Sequence, residues 1–318
     1  MILRVRLRRV CLIALYCALW GASAISVAVA ESASPKLVAP GVWFLEGDAP
    51  AGYCNTIIIE MKTYLIVVDG SYPGRVKELL AEIPKLSPKP VKYVFDTHAH
   101  GDHAYGNYLW TKAGATTLAY IGVRKEMARY EPQRWRMYAE KREDLRTSGQ
   151  NAPEPPKMVF TGKKMVLRDG EREVDFLYLG WAHTRGDGWV WLPKERVLCT
   201  GDAAVNGPRN KLWDANVANW PRVIDKAAAL GPATVLPGHG DAGGIEILRG
   251  QAQFLRDLYA NVAKSVREYK TAQQATADLK MPAADANWVR SDMAQDIGIV
   301  FAEIAAGKPA GALPHIWQ

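Results

Sequence analysis

Cysteine is scarce in this sequence, and its scarcity excludes one class of site. Four cysteines occur among 318 residues, and only Cys54 and Cys199 lie beyond residue 30. Closed structural zinc sites are built mostly from cysteine ligands, so a site of that kind is not expected. An oxidising compartment permits a disulfide between the two residues. Small buried thiols are the simpler interpretation, because Cys199 ends an apolar strand pattern.

A large excess of charge is also lacking once the N-terminus is set aside. The formal net charge is +7, and residues 1–30 contribute four arginines and no acid to it. The remainder of the chain therefore carries only +3. A charge of about +3 over nearly 290 residues is not the basic footprint of a nucleic-acid-binding protein. We therefore expect no nucleic-acid partner.

The N-terminal segment has the pattern of an export signal. Its arginines precede an apolar run from Val10 to Val29, and Ala28-Val29-Ala30 places small residues before Glu31. This pattern predicts a signal peptide over residues 1–30, a periplasmic or secreted mature protein, and no stable membrane association after cleavage. An uncleaved membrane anchor is the alternative, since the run approaches the ~20 residues that a span needs.

The rest of the chain alternates strand and helix patterns without an internal repeat. Helical periodicity predicts helices over 74–83, 124–146, 220–230, 250–271 and near 288–306. Apolar β-prone runs predict strands at 41–46, 56–60, 64–68, 91–95, 164–167, 174–178, 189–192, 197–199 and 234–236. The helix pattern that ends at Ile83 is expected to be closed by Pro84.

This order of elements predicts an α/β domain over 31–250. The charged helical pattern and the proline-rich stretch after it predict a helical insertion at about 124–156. The basic segment 124–146 is expected to present a solvated helix face, with a lid over a cleft as the alternative. Residues 251–318 are expected to form a C-terminal helical extension packed on the same domain.

Five of the six histidines lie in three places, one of which also holds a carboxylate. The densest place is the six-residue run that contains His98, His100, Asp102 and His103. Three imidazoles and a carboxylate so close together are hard to explain as packing, because an ionised Asp is rarely buried unless it is paired or bound to metal.

The remaining candidate ligands stand downstream among small residues: His183, Asp202 and His239. Only His315 is left over, and a histidine so close to the C-terminus is expected at the surface.

The ligand types predict two metal ions. His98, His100 and His183 offer three nitrogen donors and leave a position open for water, which is the arrangement of a catalytic zinc site. The second ion would be held by Asp102, His103 and His239.

Asp202 is the carboxylate left to bridge the two ions. Two ions about 3.5–4 Å apart can clamp a hydroxide at neutral pH, so the ligand set predicts hydrolysis. Two Zn²⁺ per chain are expected, and a bridging carboxylate also tolerates iron or manganese.

These residues carry a family resemblance. The run from His98 to His103, followed by His183, Asp202 and His239, resembles the metallo-β-lactamase superfamily over about residues 38–245. The resemblance implies a four-layer αβ/βα sandwich with the metals in a cleft at one edge, and a bridging hydroxide as nucleophile. It also implies that Asp102 is the catalytic residue that orients this hydroxide.

Within the superfamily the features are mixed. Asp96 to His103 and Val190-Trp-Leu-Pro193 look like the true lactamases. Asp202 is instead similar to glyoxalase II, ribonuclease Z and the acyl-homoserine lactonases. The resemblance therefore implies a two-metal hydrolase whose β-lactam turnover is expected to be weaker than that of the true lactamases.

Several residues near the motifs are candidates for supporting roles. Tyr53 lies in a loop that resembles the mobile flap of the superfamily, and Asn206 would be placed to polarise a carbonyl. Asp69 and Asp96 are candidate hydrogen-bond acceptors behind the ligands. Asp187 is expected to be a turn residue.

We therefore predict an exported binuclear zinc hydrolase that opens an acyl bond in a small-molecule amide, lactone, ester or thioester. A non-catalytic metal-binding or accessory protein that retains the fold is the first alternative. A phosphodiesterase or nuclease is the second, and the export signal and low charge argue against it. The sequence does not predict the oligomeric state.

Overall fold

The computed structural model describes residues 34–314, so the predicted signal peptide and His315 lie outside the described residues. The strands run in chain order as β1 Lys36–Ala39, β2 Val42–Leu45, β3 Thr56–Glu60, β4 Leu65–Val68, β5 Val91–Asp96, β6 Thr116–Tyr120, β7 Met158–Phe160, β8 Lys164–Asp169, β9 Arg172–Tyr178, β10 Gly188–Leu192, β11 Val197–Gly201 and β12 Thr234–Pro237. The α-helices are α1 Pro73–Leu86, α2 Gly101–Ala104, α3 Asn107–Lys112, α4 Ile121–Arg129, α5 Glu131–Lys141, α6 Glu143–Arg146, α7 Trp220–Ala228, α8 Ile245–Arg267, α9 Ala272–Asp278 and α10 Met293–Ala306.

The strands form two sheets. The first sheet has the order β1-β2-β3-β4-β5-β6-β7, antiparallel from β1 to β4 and parallel from β4 to β7. The second has the order β12-β11-β10-β9-β8, in which only β12 runs parallel to its neighbour. The predicted strand pair at 56–60 and 64–68 is thus an antiparallel pair, β3 with β4.

The two sheets face each other across an apolar core. Inward side chains of both sheets form one cluster, in which the rings of Phe95 and Phe176 lie 4.6 Å apart. Residues of β3 and β4 alternate between this cluster and the opposite face, as the two-residue period of a strand requires. Ile57 and Ile59 face the second sheet, whereas Ile58 faces α1.

Helices cover both outer faces. Val76, Leu79 and Ile83 of α1 pack on the outer face of the first sheet. Helices α7, α8 and α10 cover the outer face of the second sheet, where Leu255 and Leu258 of α8 and Val300 of α10 join its side chains. This helix–sheet–sheet–helix arrangement is the predicted four-layer sandwich, and the fold prediction is confirmed.

Several local predictions differ from the structure: strands β1, β6 and β7 were not predicted, and the helix predicted over 124–146 is divided into α4, α5 and α6. Helix α1 continues through Pro84 to Leu86 instead of ending before the proline. Proline removes one backbone hydrogen bond in a helix, but the carbonyl four positions earlier belongs to Leu80, which is exposed, so water can satisfy it. Strand β6, Thr116–Tyr120, was not predicted, yet it pairs with β5 and β7.

The insertion and the C-terminal helices both reach the metal-site edge of the sandwich. The predicted insertion, at about 124–156, contains α5, α6 and most of α4, and α5 contributes to the cleft described below. In the described chain Cys54 and Cys199 are both buried and neither forms a disulfide. No helix within residues 34–314 is long and apolar enough to cross a lipid bilayer.

Candidate metal centre

All seven predicted ligands lie together at one edge of the sandwich. Each follows the end of a strand: the cluster at 98–103 follows β5, His183 lies between β9 and β10, Asp202 follows β11, and His239 follows β12. Loops at the carboxyl ends of strands are the usual location of sites in layered α/β proteins.

The first group of donors is formed by nitrogen atoms alone. Nδ1 of His100 lies 3.0 Å from Nε2 of His98 and 3.1 Å from Nε2 of His183. These three residues are called the first half-site. Three imidazole nitrogens converging on one point match a zinc site that keeps one coordination position open.

The second group combines a carboxylate with two imidazoles. Oδ2 of Asp102 lies 3.1 Å from Nε2 of His239 and 3.7 Å from Nε2 of His103. These residues are called the second half-site. The ligand atoms in each half-site lie within 4.8 Å of one another, a spacing that a single ion can bridge at ordinary ligand distances of about 2.0–2.2 Å.

Asp202 lies between the half-sites. Its Oδ2 lies 4.0 Å from Nε2 of His98 and 3.9 Å from Nε2 of His183. Its Oδ1 lies 3.3 Å from Nε2 of His103. Gly238 is required beside it, because a Cβ at that position would collide with the Asp202 carboxylate.

Buried polar atoms without partners show that the donor set fits metal ions. Nε2 of His103 and Oδ1 of Asp202 are buried and make no hydrogen bond among the described residues. A buried polar group without a partner costs about 1–3 kcal/mol. Coordination of an ion between these atoms would remove that cost.

Each ligand histidine has one ring nitrogen that faces away from the half-sites, and the hydrogen bond of that nitrogen fixes the tautomer of the ring. The Thr97 hydroxyl donates to Asp69 Oδ1 at 2.8 Å, so it accepts from Nδ1 of His98 at 3.1 Å. Nδ1 of His183 donates to the Lys211 carbonyl at 2.9 Å. Because a neutral imidazole has one N–H, Nε2 of both histidines keeps its lone pair toward the first half-site.

The same logic holds for the histidines at 100 and 103. Nε2 of His100 donates to Oδ2 of Asp214 at 2.7 Å, which leaves Nδ1 as the metal-facing lone pair. Nδ1 of His103 donates to Oδ2 of Asp69 at 2.9 Å. Such hydrogen bonds behind the ligands orient the imidazoles and raise their basicity. Asp96, the other candidate acceptor, is buried and bonds Asn107 instead.

His239 is the exception. Arg209 Nη1 lies 3.2 Å from its Nδ1, and guanidinium groups only donate, so Nε2 carries the proton in this arrangement. An ion on Nε2 requires the other tautomer. We therefore expect Arg209 to leave Nδ1 when the second half-site is filled.

Burial and charge place most ligands in their metal-binding forms. Burial, followed by the neighbouring imidazoles, lowers the pKa of His98 well below its usual value, and burial with His100 lowers that of His183 to about 3. Burial raises the pKa of the Asp102 carboxyl, but His103 and His239 lower it more. These imidazoles are therefore neutral and this carboxylate ionised at neutral pH, as metal binding requires.

His103 differs in the direction of its shift. Burial lowers its pKa, but interactions with Cys54, Asp202, Asp69 and Asp102 raise it more, and the pKa lies well above the usual value. Burial raises the pKa of the Cys54 thiol to about 12, so that thiol is neutral and the carboxylates are the effective cause. A metal in the second half-site must therefore displace a proton from His103.

The loop that presents His183 is closed by a buried aspartate. Asp187 is 2% exposed and accepts hydrogen bonds from the backbone N–H groups of Ala182 (3.1 Å) and Thr184 (2.9 Å) and from the Thr184 hydroxyl (2.7 Å). It therefore stabilises the turn from which His183 projects.

The half-sites open into a cleft of about 240 Å³. Lys211 and Trp213 come from the loop after β11, and Tyr138 comes from α5 of the insertion. The lining residues besides the ligands are Gly52, Tyr72, Gly101, Arg134, Tyr138, Arg142, Arg209, Lys211 and Trp213. Four of these are basic, so the cleft has a positive wall facing the metal-binding carboxylates.

Tyr53 and Asn206, the predicted substrate contacts, do not line this cleft. The ring of Tyr53 packs near Tyr72 and Arg142 at the outer side of the insertion, and its neighbour Gly52 reaches the cleft instead. The Asn206 side chain bonds the Asp241 carbonyl at 3.0 Å and Asn287 at 2.9 Å. Both side chains therefore support loops at the cleft rather than face it.

Several cleft residues were not indicated by the sequence. Arg134 and Arg142 lie in a segment whose charge favours a solvated face over the alternative of a lid, and Arg209 and Lys211 lie outside any motif. Trp213 differs from them, because its position near a motif makes it a candidate pocket residue in the sequence, and the structure places it in the cleft lining. The four basic residues share one feature that the sequence shows, which is that they lie on the insertion or on the loop that follows Asp202.

Comparisons with known proteins agree with the geometry. A family model described as the metallo-β-lactamase superfamily matches residues 49–239. The chain is 30% identical over 193 residues to metallo-β-lactamase IND-1 of Chryseobacterium indologenes, which covers 59% of this chain and 72% of that protein. It is 32% identical over 114 residues to metallo-β-lactamase type 2 of Bacteroides fragilis, a match to 34% of this chain and 45% of that protein.

A solved structure shows the same fold. The metallo-β-lactamase from Pontibacter korlensis superposes with a TM-score of 0.56 at 19% identity, over 70% of this chain and 98% of that one. At this identity the likeness concerns the fold alone.

Proposed function

The chain belongs to the metallo-β-lactamase superfamily, and from that premise we propose that it is an exported two-metal hydrolase acting on an acyl bond of a small molecule. One observation carries the proposal. Two half-sites, each with three donor atoms within 4.8 Å, lie side by side at the base of one cleft with Asp202 between them.

Zinc is the proposed metal, with two ions per chain. The first half-site is entirely imidazole, which zinc favours, and the carboxylates in and beside the second half-site also suit iron or manganese. When bound, such ions supply Lewis-acid polarisation of an acyl carbonyl and lower the pKa of water.

The chain's own residues orient the reaction. Asp102 faces the cleft, and its pKa, lowered by His103 and His239, keeps it ionised. We assign it the role of holding a hydrogen bond to the attacking water. Tyr72, Tyr138 and Trp213 supply apolar walls that limit the access of bulk water.

The substrate is proposed to be a strained or activated acyl compound, with β-lactams as the first class to test and lactones, esters and thioesters as the second. The named relatives are β-lactamases, and export would place the protein where β-lactams act. Asp202 adds a negative charge between the half-sites and reduces stabilisation of an anionic leaving nitrogen. Weak β-lactam turnover and comparable or better ester turnover are therefore expected.

Charge on the cleft wall favours a substrate with an anionic group. Arg142 is held by Asp144 through two hydrogen bonds of 3.0 Å, whereas Arg209 and Lys211 have no carboxylate partner among residues 34–314. Lys211 Nζ lies 5.2 Å from the Trp213 ring centre.

Two other functions are less well supported. A non-catalytic metal-binding or accessory protein has no need of an open cleft above its ligands, and this cleft reaches Asp102 and Asp202. A phosphodiesterase or nuclease needs a broad basic surface for its polymer, and the chain beyond residue 30 carries only +3.

Hydrolysis with a chelator control tests the proposal. Purified protein would be assayed on a β-lactam, a lactone, an activated ester and a thioester, before and after metal removal. Turnover of at least one substrate that chelation abolishes and zinc restores is expected. A phosphodiester would be assayed beside these four acyl substrates. Absence of chelator-sensitive turnover on all five would support the non-catalytic alternative, and cleavage of the phosphodiester alone would support the nuclease.

A further inference from the structure

Asp214 joins the first half-site to the helical insertion. Its Oδ2 accepts from Nε2 of the ligand His100 and lies 2.7 Å from Nη2 of Arg134 in α5. The Asp214 and Arg134 side chains are only 3% and 4% exposed. Arg134 is held in turn by Oε1 of Glu131 at 2.7 Å.

This arrangement explains how a carboxylate can be buried behind a ligand. An unpaired buried charge costs several kcal/mol, and the guanidinium of Arg134 supplies the opposite charge to Asp214 at hydrogen-bonding distance. The carboxylate can then accept a hydrogen bond from the Nε2–H group of His100. This hydrogen bond orients the ring so that Nδ1 faces His98 and His183.

The C-terminal extension holds the same aspartate from the other side. Glu303 of α10 accepts hydrogen bonds from the backbone N–H groups of Val217 at 3.1 Å and Ala218 at 2.8 Å, in the loop that carries Asp214. The Gly311 N–H donates to the Ala215 carbonyl at 2.9 Å, and a Cβ at Gly311 would collide with the Asp214 backbone. This part of the chain therefore fixes the backbone of the loop.

We propose that Asp214 is a positioning residue for the first half-site and that Arg134 and Glu303 act through it. The helical insertion and the C-terminal extension are thereby structural parts of the metal centre. The proposal rests on the metal-binding function proposed above, because it concerns the orientation of His100 toward an ion.

The second half-site offers a matched control. Asp69 follows β4, and its Oδ2 accepts from Nδ1 of His103 at 2.9 Å. It is as buried as Asp214, with 1% exposure. Oδ1 of Asp69 also accepts from the Thr97 hydroxyl, which contacts His98 of the first half-site. Asp69→Asn keeps an oxygen for Thr97 and replaces only the acceptor that faces His103, so Asp69→Asn and Asp214→Asn are expected to weaken different ions.

Cobalt titration of the metal-free full-length chain tests the proposal. The d–d absorption of bound Co²⁺ reports each binding step, and His183→Ala and His239→Ala assign the steps to the first and second half-sites. Asp214→Asn and Arg134→Met are expected to weaken the first step about 10- to 100-fold and to leave the second unchanged. Asp69→Asn is expected to do the reverse.

Conservative variants separate positioning from folding. Arg134→Lys keeps the positive charge and is expected to restore most of the affinity lost in Arg134→Met. Glu303→Gln keeps an acceptor but removes its charge, and is expected to change the first step in the same direction by a smaller factor. If Asp214→Asn does not fold, the proposal is tested by Arg134→Met and Arg134→Lys instead. It predicts weaker binding of the first Co²⁺ in Arg134→Met than in Arg134→Lys.

Each result has one meaning. Equal weakening of both steps in Asp214→Asn and Asp69→Asn would show a general loss of structure and overturn the proposal, as would an unchanged first step in Arg134→Met. A wild-type protein that binds no Co²⁺ would instead contradict the proposed metal-binding function.

Discussion

Oδ1 of Asp202 lies 3.3 Å from Nε2 of His103, although neither atom makes a hydrogen bond within the described chain. The other oxygen of the same carboxylate faces His98 and His183. A single side chain thus presents one oxygen to each half-site. This relationship is the basis for proposing a shared ligand rather than two independent sites.

Substitution of Asp202 is predicted to affect both ions. Asp202→Asn removes the negative charge that faces both half-sites, so both Co²⁺ binding steps are expected to weaken by at least about tenfold. His239→Ala is the comparison, because it belongs to the second half-site alone. Weakening confined to one step in Asp202→Asn would show that this carboxylate is not shared.

Asp102→Ala is predicted to lower kcat more than it raises KM. The substitution removes both a donor of the second half-site and the proposed water-orienting group, so kcat is expected to fall by about 10²- to 10⁴-fold, the usual contribution of such groups. Losing a contact made in the transition state lowers kcat and kcat/KM together.

The matched control for that variant is Asp225→Ala. Asp225 is exposed and paired with Arg256 on α8, and neither residue lines the cleft. Its substitution is expected to leave both kinetic constants unchanged. A similar loss of kcat in both variants would contradict the role given to Asp102.

Acidification is predicted to release the two ions in order. The pKa of His103 is raised well above its usual value, so protons compete with the second ion as the pH falls. The pKa of His183 is lowered to about 3 and that of His98 lies well below its usual value, so these two ligands of the first half-site stay deprotonated to a much lower pH. Metal content after dialysis at stepwise lower pH checks this, and loss of the first ion before the second would contradict it.

Removal of the Asp187 carboxylate is predicted to destabilise the fold. Asp187→Ala leaves the buried N–H groups of Ala182 and Thr184 without acceptors, and each such group costs about 1–3 kcal/mol. Urea unfolding of the metal-free protein measures the loss. An unchanged unfolding midpoint would show that these N–H groups find other acceptors.

Cleavage of the N-terminal segment is predicted between Ala30 and Glu31. The small residues at Ala28 and Ala30 suit a signal peptidase, and cleavage would free the mature protein from the membrane. N-terminal sequencing of the protein from its native fraction checks this. An intact Met1 in a membrane pellet would favour the anchor.

Most strands of the fold could be predicted because the pattern of apolar residues in a strand is visible in a short stretch of sequence. The same holds for the positions of the ligand motifs after the strands. The run Thr56–Glu60 is apolar and β-branched, and it is strand β3 at those bounds. Strand-end positions of His98, His183 and His239 also follow from local patterns, so their convergence could be inferred from the rule that strand carboxyl ends share an edge.

The cleft wall and the groups behind the ligands could not be predicted in this way. Arg134 and Asp214 are 80 positions apart in the sequence and meet only through tertiary packing. A charged helix such as Glu131–Lys141 has the composition of a solvated surface, and nothing local shows that one of its arginines is buried. Tyr53 was a plausible cleft residue by loop position, but its ring turns toward Arg142.

Metal reconstitution followed by activity tests the central claim most directly. The metal-free protein would receive Zn²⁺ in steps, with bound metal and the initial rate on an activated ester measured at each step. The two half-sites predict no hydrolysis without metal and a rate that rises until two ions are bound per chain. Undiminished hydrolysis by the metal-free protein, or saturation below one ion per chain, would contradict the account.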